Sequence, residues 1–262
     1  MSRLAGRSLI GRVLPPALLA AALIGAWEAY ADLAGVEEQV LPAPHRVASA
    51  AWEGRTLLWH NFAVTAQEVL LGLAIAVAAG FALAVAIHLF PLVRRAVYPL
   101  AVGSQAVPIP VIGVLLAFWW GFGIFPKLVV VALICFFPVL VTTVDGLAAI
   151  DPDELKLLRT LDASRWQAFR FGELPAALPA ALSGARIALT IGVIGAFIAE
   201  TTTPTTGVYT GLGREIVSDV NFETARAYAG TALLITLAVA CFYALGLAQR
   251  LLAPWSRESV AA

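Results

Sequence analysis

Along this 262-residue chain, six long stretches of mostly apolar residues alternate with shorter segments that collect the charges. A helix crossing the hydrocarbon core of a bilayer needs about 20 apolar residues, and the stretches, roughly 14–34, 62–90, 96–120, 126–146, 178–201 and 224–252, meet that length. The third contains Pro99, Pro108 and Pro110. Each proline ring removes a backbone donor and crowds the preceding turn, so a broken helix is predicted there rather than a straight one. The pattern gives an all-α, polytopic membrane protein with about six transmembrane helices.

The connecting segments carry their own signals. In 35–61, Pro42 and Pro44 precede a helix-compatible run, 46–59, whose Val47, Ala50, Ala51, Leu58 and Trp59 form an apolar stripe; a short helix lying in the membrane interface is expected. The segment 202–223 combines Pro204 with Gly207, Gly211 and Gly213, a composition for turns or a re-entrant piece. The segment 151–175 separates the fourth and fifth stretches. There Asp151 suits a helix N-cap, Pro152 the first helical position, and Asp153 and Glu154 the positive end of the dipole. Leu155, Leu158 and Leu161 are spaced to share one face, with Lys156, Arg159 and Thr160 turned elsewhere. A second helical turn or two starts near Ala163 or Ser164 and carries Arg165, Trp166, Phe169 and Arg170. Trp, Phe and Arg side by side in a water-facing loop have the composition of a protein-docking surface. No internal repeat is visible.

Composition sharpens the placement. The chain is 60% hydrophobic and 13% charged, where soluble domains are about a quarter charged and half apolar. Basic and acidic residues number 17 each, which gives no reason to expect a nucleic-acid partner. Their location is more informative. With the N-terminus inside, Arg3, Arg7, Arg12, Arg94, Arg95, Lys156, Arg159, Arg165, Arg170, Arg186, Arg250 and Arg257 are cytoplasmic; only Arg46, Arg55, Lys127, Arg214 and Arg226 are outside. Basic residues stay on the cytoplasmic side of short loops, so both termini are expected there. Residues 14–34 follow three arginines as a signal peptide would, yet are long enough to span, and read as a retained first helix. Residues 1–13 are then a cytoplasmic N-terminus, 14–252 one transmembrane domain and 253–262 a cytoplasmic tail. Cys135 and Cys241 sit inside apolar runs without metal-ligand spacing and read as small hydrophobes.

Polar groups at membrane depth each need a reason. Gln67 and Glu68 lie near the outer end of the second stretch, where contact with water or another subunit is enough, and snorkelling is enough for Glu28. Asp145 closes the fourth stretch and Arg186 opens the fifth, so an ion pair bracing the ends of the 151–175 loop is a natural expectation. Glu200, beside Thr201, Thr202, Thr203, Thr205 and Thr206, reads either as part of the outer mouth of a pathway or as a solvated helix end. Ser104 and Gln105, ahead of Pro108 and Pro110, mark freed backbone and side-chain amides that can face a cavity. Trp119, Trp120 and Phe122 suit either an interfacial aromatic belt or a surface for a ring in transit.

The stretch from Leu161 to Gln167, followed by Glu173 to Pro179, resembles the EAA loop of binding-protein-dependent ABC importer permeases. That pattern is Glu-Ala-Ala, three residues, Gly, nine residues, then Ile-x-Leu-Pro. Anchored on Leu174 and Pro175, its Glu-Ala-Ala falls on Lys156, Leu157 and Leu158 and its glycine on Asp162, while Gly172 stands in place of Ile. The resemblance covers nearly the whole chain: Leu41 to Pro44, Gln105 to Pro110, Trp120 to Gly123, Phe136 to Pro138, Thr143 to Leu147 and Gly184 to Ala188 are similar to the nitrate, sulfonate and taurine branch. Trp120 to Lys127, with Cys135 to Pro138 and Val144 to Gly146, is most similar to permeases for thiamine-pyrimidine precursors or riboflavin.

The resemblance implies a type I importer fold in a bacterial inner membrane. It implies a pair of permease subunits, here with a second copy of the same chain, around a pathway that includes Ser104, Gln105, Pro108, Pro110, Trp119 and Glu200. Two ATPase subunits would dock on Glu154, Lys156, Leu158, Leu161, Asp162, Ala163, Ser164, Arg165, Trp166 and Phe169, with charge complementary to Lys156 and Asp162. A solute-binding protein would deliver a small organic or anionic solute. The chain has no GxxxxGK[ST] phosphate loop, so ATP and magnesium belong to the ATPase, and no cofactor or metal is expected here. An ion-coupled secondary transporter would place carboxylates near mid-bilayer, and the mid-span positions read as almost free of charge. An intramembrane enzyme needs a catalytic constellation, but His45, His60 and His88 lie in unrelated places.

Overall fold

The computed structural model describes residues 3–203 and 209–257, apart from the side chains of 3–13, 159, 256 and 257. Pro204, Thr205, Thr206 and Gly207 lie outside the described residues. The helices are α1 (Arg3–Leu33), α2 (Pro44–Glu53), α3 (Arg55–Leu89), α4 (Pro91–Ser104), α5 (Ile109–Trp120), α6 (Ile124–Ala148), α7 (Pro152–Thr160), α8 (Arg165–Ala168), α9 (Leu174–Thr202), α10 (Leu212–Asp219) and α11 (Thr224–Leu252). Among the described residues there is no strand.

Among the described residues, five helical segments are long and apolar enough to cross a membrane; α4 and α5 pass only as a pair, bent by 98°, as a broken span or a re-entrant loop. The bend falls where the prolines predict it. Pro108 takes the N-cap of α5 and Pro110 lies in its first turn, positions where a missing N–H costs nothing. Two boundaries differ from expectation. The short helix of the first connection is α2, ending at Glu53; Leu58 and Trp59 belong to α3, because the chain turns at Gly54 and restarts at Arg55. The fifth span begins earlier than Leu178, because α8 runs through a π-helical turn at Phe169–Glu173 directly into α9. There the Leu174 N–H reaches back five residues to Phe169 O. The wider turn makes room for Pro175, whose ring would otherwise collide with the carbonyl four residues earlier.

The chain forms two compact units, 1–59 with 215–232 and 60–214 with 233–262. In the first, the Trp27 and Tyr228 rings lie 5.9 Å apart, the Tyr228 hydroxyl donates to Val40 O at 3.3 Å, and Glu28 accepts from the His45 backbone N–H. Glu28 also contacts His45 Nδ1 at 2.5 Å, so this carboxylate has a local partner instead of snorkelling.

In the second unit α6 is central, and small residues set its spacing. A methyl group on Gly192 would stand 2.6 Å from Cys135 Sγ of α6, and one on Gly72 of α3 would stand 2.6 Å from Val131 of α6. Lipid tails are as apolar as leucine, so close backbone approach and dispersion hold such helices together. At one end Ala84, Ile87, Ala101, Leu140, Val144, Leu147, Phe169 and Ala177 form a buried cluster; at the other Leu116, Val130, Ile134 and Ala199 form a second.

Candidate functional site

The loop between α6 and α9 is built from two capped helices. Asp151 Oδ1 accepts the Asp153 N–H at 2.8 Å, and Lys156 Nζ pairs with Asp153 at 2.7 Å in a solvent-exposed contact. Helix α7 ends with Asp162 at φ 58°, the left-handed conformation in which glycine is easiest, while the Ala163 N–H bonds to Leu158 O at 3.1 Å. This is the helix stop that a glycine normally supplies, at the position where the family pattern has glycine. Asp tolerates it better than most residues. Ser164 then starts α8 with a reciprocal box: its hydroxyl accepts the Gln167 N–H and the Gln167 side chain accepts the Ser164 N–H. Arg165 donates to Leu89 O at 3.1 Å, tying α8 to the end of α3.

This geometry redistributes the expected docking residues. Glu154, Lys156, Leu161, Asp162, Ser164, Arg165 and Trp166 are exposed, Trp166 at 59% and Leu161 at 70%. Leu158 and Ala163 are half-buried, and Leu158 lies beside Gly172. Phe169 is not part of the surface. It is 3% exposed, joins the Leu140 and Leu147 cluster, and supports Trp166 from behind at 5.4 Å between rings. The leucine face also differs from expectation: Leu155 and Leu158 turn inward, while Leu157 and Leu161, four apart, point out. Leu157 and Phe171, the latter exposed beside Arg170, add apolar contacts that the sequence reading left unassigned. The i, i+4 spacing of Leu157 and Leu161 was the available signal.

Asp145 and Arg186 do not form the expected pair. Along the α6 and α9 contact, Gly184 meets Thr142 and Pro138 O, whereas Gly146 meets Ala177 and Ala180. Arg186 therefore sits more than a turn from the level of Asp145. Its guanidinium lies 4.2 Å from the Phe242 ring centroid and 3.3 Å from Gln249 Oε1, and Asp145 is exposed.

Of the expected pathway residues, Ser104, Gln105, Pro108, Pro110 and Trp119 are exposed. Glu200 is neither a mouth residue nor a solvated helix end, because it is fully buried. Its Oε1 accepts from Thr65 Oγ1 at 2.5 Å and its Oε2 from the Gly213 N–H. Beside it Lys127 Nζ donates to Glu68 Oε1 at 2.9 Å and to Tyr209 O at 2.7 Å, with both charged side chains at 0% exposure. Thr65 Oγ1 also accepts the Leu212 N–H at 2.9 Å. Gly211 and Gly213 are glycines for a steric reason, since a methyl on either would run into the Glu200 carboxylate.

This cluster overturns the expectation of Glu68 as an interfacial group, and shows that Lys127, counted among the outer-side cations, is buried. Two carboxylates and one lysine at or inside apolar runs, with a glycine pair following Glu200, were the signal for it. Lys127, Glu200 and Glu68 Oε1 are held by partners from α3, α6, α9 and the 209–213 segment, while Glu68 Oε2 is buried without a hydrogen-bond partner among the described residues. The arrangement braces the fold and contains none of the nucleophile, base and electrophile geometry of an enzyme.

Residues 72–258 match the family described as "Binding-protein-dependent transport system inner membrane component". The chain is 30% identical over 251 residues to the formylaminopyrimidine transport permease protein ThiX of Halalkalibacterium halodurans, covering 94% of this chain and 98% of that one. It is also 30% identical to the taurine transport system permease protein TauC of Escherichia coli, covering 91% and 88% of the two chains. A crystal structure of an amino acid ABC transporter with histidines superposes with a TM-score of 0.58 at 16% identity, over 77% of this chain and 95% of that one. That likeness shows the fold. Together with the helical spans, the matches show that this chain belongs to the inner-membrane permease subunits of binding-protein-dependent ABC importers, in their sulfonate and taurine branch.

Proposed function

We propose that this permease pairs with a second copy of itself to form the pathway of an ATP-driven importer, that two ATPase subunits dock on its α7 and α8 loop, and that a solute-binding protein delivers the cargo from outside. The permease is not an enzyme; ATP and magnesium belong to the ATPase. The observation that carries the docking assignment is the exposed surface of a rigidly capped loop, in which Leu157, Leu161, Trp166 and Phe171 stand out from a backbone fixed by Asp151, Asp162 and Ser164. Exposed aromatic and aliphatic anchors on a preorganised scaffold are what a protein groove binds. Both termini face the cytoplasm in this reading, following the bias of basic residues.

The cargo in this reading is a small organic or anionic solute, a thiamine pyrimidine precursor, riboflavin, or a sulfonate- or nitrate-like anion; the relatives named for formylaminopyrimidine and taurine support the pyrimidine and sulfonate members of that range. An ion-coupled transporter would use buried carboxylates such as Glu68 and Glu200. Here Glu200 is bonded at both oxygens and Glu68 is paired with Lys127 through one, and the family is one of binding-protein-dependent importers.

The test is co-purification of the permease with its ATPase and ATP-dependent uptake in proteoliposomes. Trp166→Ala is expected to keep the fold, because the ring is mostly exposed, while lowering uptake and ATPase retention roughly tenfold or more, the effect of losing a central contact. Wild-type retention and uptake by that variant would refute the docking assignment.

A further inference from the structure

The first compact unit contains an open cleft of about 660 Å³. One wall is the start of the first connection and α2: Glu37, Glu38, Gln39, Arg46, Ser49 and Glu53. The other is Phe222 to Arg226 at the start of α11. Four glutamates line it against two arginines, and neither arginine is available to a visitor. Arg226 is clamped by Asp219 at 2.6 and 2.7 Å, by Glu223 at 2.9 Å and by Glu215 at 3.7 Å. Arg46 is held by Glu38 at 2.5 Å. Glu37 and Glu53 have no ion-pair partner among the described residues. Phe222, 87% exposed, adds an aromatic ring to the lining. The wall is firm: a methyl on Gly54 would stand 3.1 Å from both Ala50 O and Arg226 Cδ, so α2 and the Arg226 stem already touch.

A cleft with surplus negative charge, committed arginines and an exposed aromatic face suits an ammonium or guanidinium carried on an apolar stem. Its volume is that of a site for several such groups. We infer that this cleft receives basic side chains of the solute-binding protein, with Glu37 and Glu53 as the free anions that attract them and Phe222 as the surface on which their stems lie. The inference rests on the importer reading, in which 35–61 and 202–223 are extracytoplasmic. It adds the place and chemistry of the delivery contact. Charge of this kind steers encounter and fixes register, and it weakens with salt.

The experiment uses the permease with its ATPase in lipid nanodiscs and titrates recombinant binding protein by surface plasmon resonance and by stimulation of ATP hydrolysis. Glu37→Lys with Glu53→Lys is expected to raise Kd tenfold or more, leave basal hydrolysis unchanged, and flatten the loss of affinity that the wild type shows between 50 and 300 mM salt. Glu37→Gln with Glu53→Gln, which introduces no new charge, should weaken binding less and in the same direction. A compensating Lys→Glu or Arg→Glu change on the binding protein should restore affinity for the lysine variant. Wild-type Kd and salt dependence in both double variants would overturn the inference. If the wild-type permease retains no ATPase and binds no binding protein, the importer reading itself fails, a result distinct from a loss confined to the variants.

Discussion

Replacing Lys127 with methionine tests the buried ion cluster most sharply. The side chain is at 0% exposure and its ammonium serves two acceptors, Glu68 Oε1 at 2.9 Å and Tyr209 O at 2.7 Å. Methionine keeps most of the volume and removes both contacts. Glu68 is then a buried carboxylate without its cation, close to a second buried carboxylate, Glu200. Leaving one member of a buried pair uncompensated costs about 3 to 5 kcal/mol, and the orphaned Tyr209 carbonyl adds about 1 kcal/mol or more. Replacing Glu68 with methionine as well removes the stranded charge, so the double variant is expected to be more stable than Lys127→Met alone. Unfolding can be followed in detergent with a thiol-reactive dye on the buried Cys135, in a Cys241→Ser background. A single variant that loses less than about 1 kcal/mol, or a double variant that loses the sum of the two singles, would refute the assignment of Lys127 as a buried counter-ion.

Three further outcomes follow from the geometry. Asp162→Gly should stabilise the α7 stop by about 1 kcal/mol, because it removes a side chain from a left-handed residue, whereas Asp162→Val should destabilise it; hydrogen exchange of the 152–163 amides reads both. Gly192→Leu should lower the yield of folded protein and cost about 3 kcal/mol or more in detergent unfolding, since the space it needs is filled by Cys135. A double-mutant cycle on Asp145→Asn and Arg186→Gln should give a coupling energy below about 0.5 kcal/mol, because the two side chains sit on different levels of their helices; a larger coupling would show that they meet.

The helices were legible because the bilayer makes their signal simple: a span must be apolar for its full length, and the proline cluster at 99–110 marked the one that bends. The caps of the loop were equally local, since Asp151, Pro152 and Ser164 act on neighbours within three residues. What the sequence hid was every contact between distant positions. Glu68, Lys127 and Glu200 each look solvated when read alone, and only the meeting of α3, α6 and α9 shows that Lys127 pairs with Glu68 while Glu200 is bonded by Thr65 and the Gly213 N–H. Asp145 and Arg186 failed for the converse reason. Both stand at span ends as the sequence suggests, but the glycine contacts set a stagger between α6 and α9 that the segment boundaries do not reveal. Phe169 was misplaced because periodicity cannot tell an outward aromatic from one that inserts beneath its neighbour.

The uninterrupted passage from α8 through the π-helical turn into α9 has a mechanical consequence. From Arg165 to Thr202 the backbone is helical without a break, roughly 57 Å at 1.5 Å per residue. In the proposed importer, a displacement imposed at Trp166 would enter this helix directly, with no loop between it and the membrane span. The far end of the same helix carries Glu200, which accepts the Gly213 N–H, so that reading would put the docking loop and the 211–213 segment on one load path.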